Sequence, residues 1–273
     1  MNNFLCEIIE LKKKRLELVK SKIPLEELKD RAFSIRENSE RHRLQNALAE
    51  KDKINIIAEI KRASPSKGVI NDKINVAETA RMYERGGACA ISVLTEEDKF
   101  KGSLEDLRMV RTNVSLPVLR KDFIFDEFQI YETAEAGADV ILLLAAMLDD
   151  EILIKLYHLA EQELGLNVLL EVHTLEELER AKNIGAKIIG VNNRDLHSFK
   201  VSLDVSRQLI KHAPKDSLLI SESGLQTGED LLELKESGFN GFLIGETLMR
   251  SENVEEELKQ LATNKHEISQ KIF

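Results

Sequence analysis

Ile56-Ile57-Ala58-Glu59-Ile60-Lys61 is a β-rich run with one acid and one base at its far end. An amphipathic stretch at 76–85 follows it, and then a second short apolar run at 88–94. Strand, helix and strand in that order make a parallel pair, because the crossover helix returns the chain to the same end of the sheet. The pattern then repeats. Strands are expected at 56–61, 88–94, 117–122, 139–144, 167–172, 187–192, 217–222 and 241–245. Helices are expected between them at 76–85, 104–111, 126–136, 149–164, 175–183, 203–212 and 228–237, with a last one at 254–262.

Eight strands whose starts recur about every 26 residues predict an α/β fold, a single (β/α)8 TIM barrel. A doubly wound open sheet is the rival, but it usually opens on a glycine-rich turn, and the chain has neither G-x-G-x-x-G nor a P-loop. An internal repeat supports the barrel. Gly86-Gly87-Ala88, Gly137-Ala138-Asp139, Gly185-Ala186-Lys187 and Gly238-Phe239-Asn240 each close an odd-numbered helix ahead of an even-numbered strand, as left-handed C-caps.

Residues 1–53 lie outside this repeat and read as two or three helices packed on the barrel, with Pro24 as the first residue of one of them. The expected division is therefore an N-terminal helical extension, 1–53, and a barrel, 54–273. The extension holds 13 Lys and Arg against 10 Asp and Glu, whereas the whole chain of 273 residues carries a net charge of −9. An acidic body argues against a nucleic-acid partner, whose phosphates need a broad basic face. The one basic run, Lys12-Lys13-Lys14-Arg15, reads as the solvated face of a helix whose apolar stripe is Leu5, Ile8, Ile9, Leu16 and Val19. No apolar run is long enough to span a membrane, Glu7 and Glu10 interrupt any signal peptide, and the 2 cysteines make no disulfide framework. A cytoplasmic protein without membrane contact is expected.

Alternate side chains of a barrel strand face inward, and barrel active sites form at the C-terminal strand ends. Glu59 and Lys61 share one face of the first strand. Lys121 follows Leu119 on the third, with Phe123 next on that face, and Glu171 follows Leu169 on the fifth, with His173 next. Charges at mid-barrel depth are costly unless paired or used. Three alternate strands presenting them at the same end therefore mark a catalytic pocket. The sixth strand adds Asn192 and Arg194, and the seventh ends in Ser221-Glu222-Ser223-Gly224. In such barrels the loops after strands seven and eight commonly hold a phosphate on backbone N–H groups, which singles out Ser223, Gly224, Gly245 and Glu246. The segment 62–68 after the first strand is small and polar, as suits a flap. Six histidines show no metal-ligand spacing and neither cysteine falls at a strand end, so neither a metal site nor thiol catalysis is expected.

Read together, Ile57-Ala58-Glu59-Ile60-Lys61-Arg62-Ala63-Ser64-Pro65-Ser66-Lys67-Gly68 and Pro117-Val118-Leu119-Arg120-Lys121-Asp122-Phe123 resemble the signature segments of the indole-3-glycerol phosphate synthase family. The likeness continues through Ser92-Val93-Leu94-Thr95-Glu96, Leu169-Leu170-Glu171-Val172-His173, Gly190-Val191-Asn192-Asn193-Arg194-Asp195-Leu196, Ser221-Glu222-Ser223-Gly224 and Leu243-Ile244-Gly245-Glu246. It covers about residues 50–250; family members differ at position 246. The resemblance implies a lyase of tryptophan biosynthesis that closes the ring of 1-(2-carboxyphenylamino)-1-deoxyribulose 5-phosphate with loss of CO2 and water. In it Lys121 is the acid at the ketone oxygen and Glu171 assists proton removal. Lys61 holds the substrate carboxylate and shares the acid work, and Glu59 orients the ammonium groups. Asn192 holds a ribulose hydroxyl or a catalytic group, and Arg194 assists with the carboxylate. Ser64 and Phe123 line the aromatic pocket, and Glu222 and Ser223 also contact substrate. Lys61, Lys121 and Arg194 outnumber Glu59 and Glu171 by one charge, and positive groups close together are expected to move a lysine toward neutral pH. No cofactor is implied, and a monomer or weak homo-oligomer is expected. A Schiff-base aldolase acting on a sugar phosphate is the alternative.

Overall fold

The computed structural model describes residues 3–50 and 52–262. Three helices come first: α1 (Asn3–Lys20), α2 (Leu25–Glu37) and α3 (Arg43–Leu48). Then β1 (Ile56–Ile60) enters the barrel, and a small antiparallel hairpin, β2 (Ala63–Ser64) with β3 (Gly68–Val69), occupies the flap. The alternating body follows as α4 (Val76–Arg85), β4 (Ala90–Leu94), α5 (Leu104–Asn113), β5 (Val118–Lys121), α6 (Glu127–Glu135) and β6 (Val140–Leu144). It continues with α7 (Asp150–His158), β7 (Asn167–Val172), α8 (Leu175–Ile184), β8 (Ile188–Asn192), α9 (Asp204–Leu209) and β9 (Leu218–Glu222). The last elements are α10 (Gly228–Glu236), β10 (Gly241–Ile244), α11 (Glu246–Arg250) and α12 (Val254–Ala262).

The larger sheet is a closed parallel barrel in the order β1-β10-β9-β8-β7-β6-β5-β4. Closure leaves no unpaired strand edge. Helix starts are specified locally: the side chains of Asn75, Ser103, Asp149, Thr174 and Thr227 each accept a hydrogen bond from the backbone N–H three residues on. The left-handed caps appear at Gly87, Gly137, Gly185 and Gly238, whereas Gly86 stays right-handed. Helix α7 does not run unbroken to 164. Its last turn widens to a π-helix at Leu159–Glu163, which turns Glu161 inward so that its Oε1 accepts from Val168 N at the start of β7, 2.9 Å away. Pro24 is the N-cap of α2, one residue ahead of the position expected for it.

One apolar cluster joins Leu5, Ile8 and Leu16 of α1, Leu28 and Ala32 of α2, and Leu44 and Leu48 of α3 to the barrel core. The basic run departs from its expected solvation. Lys13 and Lys14 are exposed, but Lys12 is buried, and its Nζ lies 2.6 Å from Asp122 Oδ1, an ion pair with side chains 9% and 0% exposed. Arg15, though exposed, forks onto Asp98 with bonds of 3.0 and 2.7 Å. The reason is spacing: 5, 8, 12, 16 and 19 follow one helical stripe, so Lys12 shares the buried face with the leucines. The part of the expected barrel segment at 263–273 lies outside the described residues.

Candidate active site

Lys121 ends β5, and its Nζ is surrounded by acids from three other strands. It donates to Glu222 Oε2 at 2.7 Å and lies 3.7 Å from Glu59 Oε2 and 3.8 Å from Glu171 Oε2. Lys61, one residue beyond β1, donates to Glu59 Oε1 at 2.5 Å, so Glu59 bridges the two ammonium groups. Asn192 Nδ2 donates to Glu171 Oε1 at 3.1 Å. The strand registers make this convergence possible. Glu171 pairs with Gly190, and Glu222 lies level with both Asn192 and Leu243, so the acids stand at neighbouring levels of the mouth.

Two glycines make room for the carboxylates. A Cβ on Gly190 would fall 2.2 Å from Glu222 Oε1, and one on Gly245 would fall 2.3 Å from Glu59 Oε1. Both contacts are far inside van der Waals distance, so any larger residue displaces an acid.

The electrostatics reverse one expectation. Burial alone would push the Lys121 ammonium down, but Glu222, Glu59 and Glu171 outweigh it and hold Lys121 above the usual lysine range. Lys121 is therefore held protonated, rather than moved toward neutral pH by its fellow cations. Burial raises the Glu222 carboxyl to about 7; Lys121 opposes that rise and Glu171 adds to it. At Glu59 burial is outweighed by Lys61 and Lys121, and the group is held below the usual carboxylate range. Glu222 is a third buried acid, and in its ionised form it joins Glu59 and Glu171 to match the charges of Lys61, Lys121 and Arg194.

These groups floor a cavity of about 1120 Å3. Glu59, Lys61, Ser64, Lys121, Phe123, Glu171, Asn192, Arg194, Ser223, Gly224, Gly245 and Glu246 all line it. Glu222 does not; it is fully buried beneath Lys121. One wall is aromatic. Phe123 packs edge-on to Phe4 of α1 with ring centroids 6.3 Å apart and tilts against Phe100 at 6.2 Å, while Phe4 meets Phe199 edge-on at 5.2 Å. Arg194 Nη1 donates to Ser66 Oγ of the flap at 3.1 Å and to Phe199 O at 3.2 Å. At the other end Ser223 and Gly224 are consecutive left-handed residues (φ +66 and +81), beside Gly245 and the start of α11. Glu246 would repel an anion alone, but its Oε1 is 3.8 Å from Lys67 Nζ and 3.2 Å from Arg250 Nε.

Phe4, Phe100 and Phe199 are absent from the sequence-derived site. Phe4 falls in the arm, and the other two fall in loops where a phenylalanine carries no periodic signal. Glu222 was legible as a strand-end acid but not as the partner of Lys121, because a contact between strands so far apart in sequence depends on barrel closure.

A family model for indole-3-glycerol phosphate synthase matches residues 5–261, the arm as well as the barrel. The chain belongs to the indole-3-glycerol phosphate synthase family. Proteins named indole-3-glycerol phosphate synthase are similar to it over most of their length. That of Legionella pneumophila (strain Paris) is 44% identical over 264 residues, covering 97% of this chain and 100% of the relative. That of Aquifex aeolicus is 52% identical over 211 residues, covering 76% and 80%. Two solved structures share the fold alone: a thiamine phosphate pyrophosphorylase from Pyrococcus furiosus and an N-acetylmannosamine-6-phosphate 2-epimerase from Clostridium perfringens. The first has a TM-score of 0.58 at 18% identity and covers 84% of this chain and 99% of its own. The second has a TM-score of 0.59 at 15% identity and covers 86% and 97%. The activity attached to the indole-3-glycerol phosphate synthase family is a carboxy-lyase reaction of tryptophan biosynthesis.

Proposed function

We propose that this chain converts 1-(2-carboxyphenylamino)-1-deoxyribulose 5-phosphate to indole-3-glycerol phosphate with Lys121 as acid and Glu171 as base. The observation that carries this reading is the convergence of Lys121 with Glu59, Glu171 and Glu222 inside 3.8 Å, in a cavity with an aromatic wall at one end and paired glycine loops at the other. The aryl carbon that bears the carboxylate attacks the ketone. As that bond forms, the carbonyl π pair moves to oxygen and the Lys121 ammonium delivers a proton to it. An alkoxide is basic enough to take that proton even from an ammonium held by three acids. Loss of CO2 returns an electron pair to the ring. Lys61 protonates the departing hydroxyl, and Glu171 takes a proton from the methylene carbon beside nitrogen, giving the indole and water.

Lys61 and Arg194 hold the substrate carboxylate, and Glu59 orients both lysines. Asn192 orients Glu171, and Glu222 holds Lys121 from below. Ser64 and Phe123 border the aromatic ring, where excluded water strengthens the nearby charge interactions. Backbone N–H groups at Ser223, Gly224, Gly245 and Glu246 receive the phosphate. Helix α1 of the extension completes the aromatic wall of the cavity through Phe4. The acidic surface supports a small-molecule substrate over nucleic acid. No helix among the described residues is long and apolar enough to cross a membrane, and we place the enzyme in the cytoplasm as a monomer or weak homo-oligomer.

In a fluorescence assay for indole formation without added metal, Lys121→Met and Glu171→Gln are expected to lose about 10²–10⁴-fold in kcat. Wild-type turnover in either variant would remove its assigned role. The aldolase alternative needs a neutral amine, and Lys121 is held protonated. Borohydride with a sugar phosphate is therefore expected to leave no adduct on Lys121.

A further inference from the structure

His173 has no part in the mechanism so far, and it does not line the cavity. It stands directly behind the proposed base. Its Nε2 is buried, makes no hydrogen bond among the described residues and lies 3.4 Å from Glu171 Oε1. On the other side Nδ1 is 3.4 Å from Glu177 Oε2, and the same oxygen accepts from the His173 backbone N–H at 2.6 Å. Glu177 sits in the first turn of α8, where the N-cap Thr174 accepts from its N–H. The ring is thus strung between a fixed carboxylate and the Glu171 carboxylate.

We propose that His173 is a positioning residue for Glu171, orienting its carboxylate and, as an imidazolium, keeping it ionised. This rests on the reading of Glu171 as the base. The groups facing the pair are Glu177 from α8, Glu222 from β9, Lys121 from β5 and Asn192 from β8. Burial works against a charged ring, but the bond to Glu177 and the charges of Glu171, Glu177 and Glu222 outweigh it and raise His173 above the ordinary histidine value. A buried ring nitrogen with only a carboxylate to face is better satisfied as a donor.

The test is kcat against pH for the full chain carrying His173→Gln or Glu171→Gln, with an NMR titration of His173 in the wild type and in Glu177→Gln. An imidazolium beside Glu171 favours its ionised form, so removing the charge moves the acid limb to higher pH. His173→Gln is expected to shift that limb up by about one pH unit, the lower end of what a facing charge does to a carboxylate, with KM little changed. Glu177→Gln keeps an amide oxygen for the His173 N–H but removes the charge that raises the ring, and is expected to move the His173 titration down toward the ordinary histidine value. The wild-type ring is expected to titrate above the ordinary histidine value. An inactive Glu171→Gln together with an unmoved limb in His173→Gln, a ring whose titration does not fall in Glu177→Gln, or a wild-type ring that titrates below the ordinary value, overturns the inference. Full turnover in Glu171→Gln overturns instead the assignment of the base, and this inference with it.

Discussion

At the scale of single residues the site rests on three buried acids, of which Glu59 and Glu171 border the cavity and Glu222 lies fully beneath it. Glu222 is raised by burial from an ordinary value of 4.5 to about 7. A carboxyl with a raised folded-state value binds its proton more tightly when folded, so its contribution to stability is present below pH 4.5 and is lost as pH rises through about 7. Glu222→Gln removes that loss. In urea unfolding, the stability of the variant relative to wild type is expected to rise between pH 4.5 and 7 and then level off; a difference independent of pH would contradict a buried, titrating Glu222. Gly190→Ala tests the same acid through its space. The added methyl forces the Glu222 carboxylate off Lys121 and is expected to cost about 1–3 kcal/mol in overpacking and at least about tenfold in kcat, since the acid loses its closest partner. Turnover equal to wild type would mean Lys121 does not need Glu222. Glu59, Lys61, Lys121 and Glu171 were readable from period-2 alternation alone, because a charge on the inward face of an apolar strand is too costly to stand there unpaired and unused. The three-acid environment of Lys121 was not, because it depends on strand register. Without that register Glu222 was left out and the cations outnumbered Glu59 and Glu171 by one, which points the Lys121 shift in the opposite direction.

At the scale of elements, α1 works as a strut. Its Lys12 reaches Asp122, which also holds Arg120 and Thr95 and accepts from Phe123 N, so the helix fixes the turn directly after Lys121. Removing one partner of a buried pair commonly costs about 3–5 kcal/mol. Lys12→Ala is expected near the lower end, about 3 kcal/mol, because Arg120 still holds Asp122. Urea unfolding would show this, and a change under about 0.5 kcal/mol would place Lys12 among ordinary surface residues. The eight barrel strands were legible to within two residues at their starts, because β-branched runs between capping residues leave little freedom. The flap hairpin was not, since two-residue strands carry no periodicity, and neither was the π-turn closing α7, whose Glu161 contact with β7 is tertiary.

At the scale of the whole molecule, arm and barrel share one apolar cluster, and ion pairs such as Lys20–Asp126 and Lys99–Glu7 tie α1 to the loops after β5 and β4. They are expected to unfold as one cooperative unit, with calorimetric and far-UV circular dichroism transitions that coincide. Two separated transitions would make the arm an independent body. The floor of the mouth leaves a lesson for anyone who would recruit this scaffold to new chemistry. Where Gly190 and Gly245 stand, the wall is one hydrogen atom thick, and the neighbouring acids occupy what a methyl group would need. Redesign is free to vary the rim, but at these two positions any enlargement costs the barrel an existing functional group.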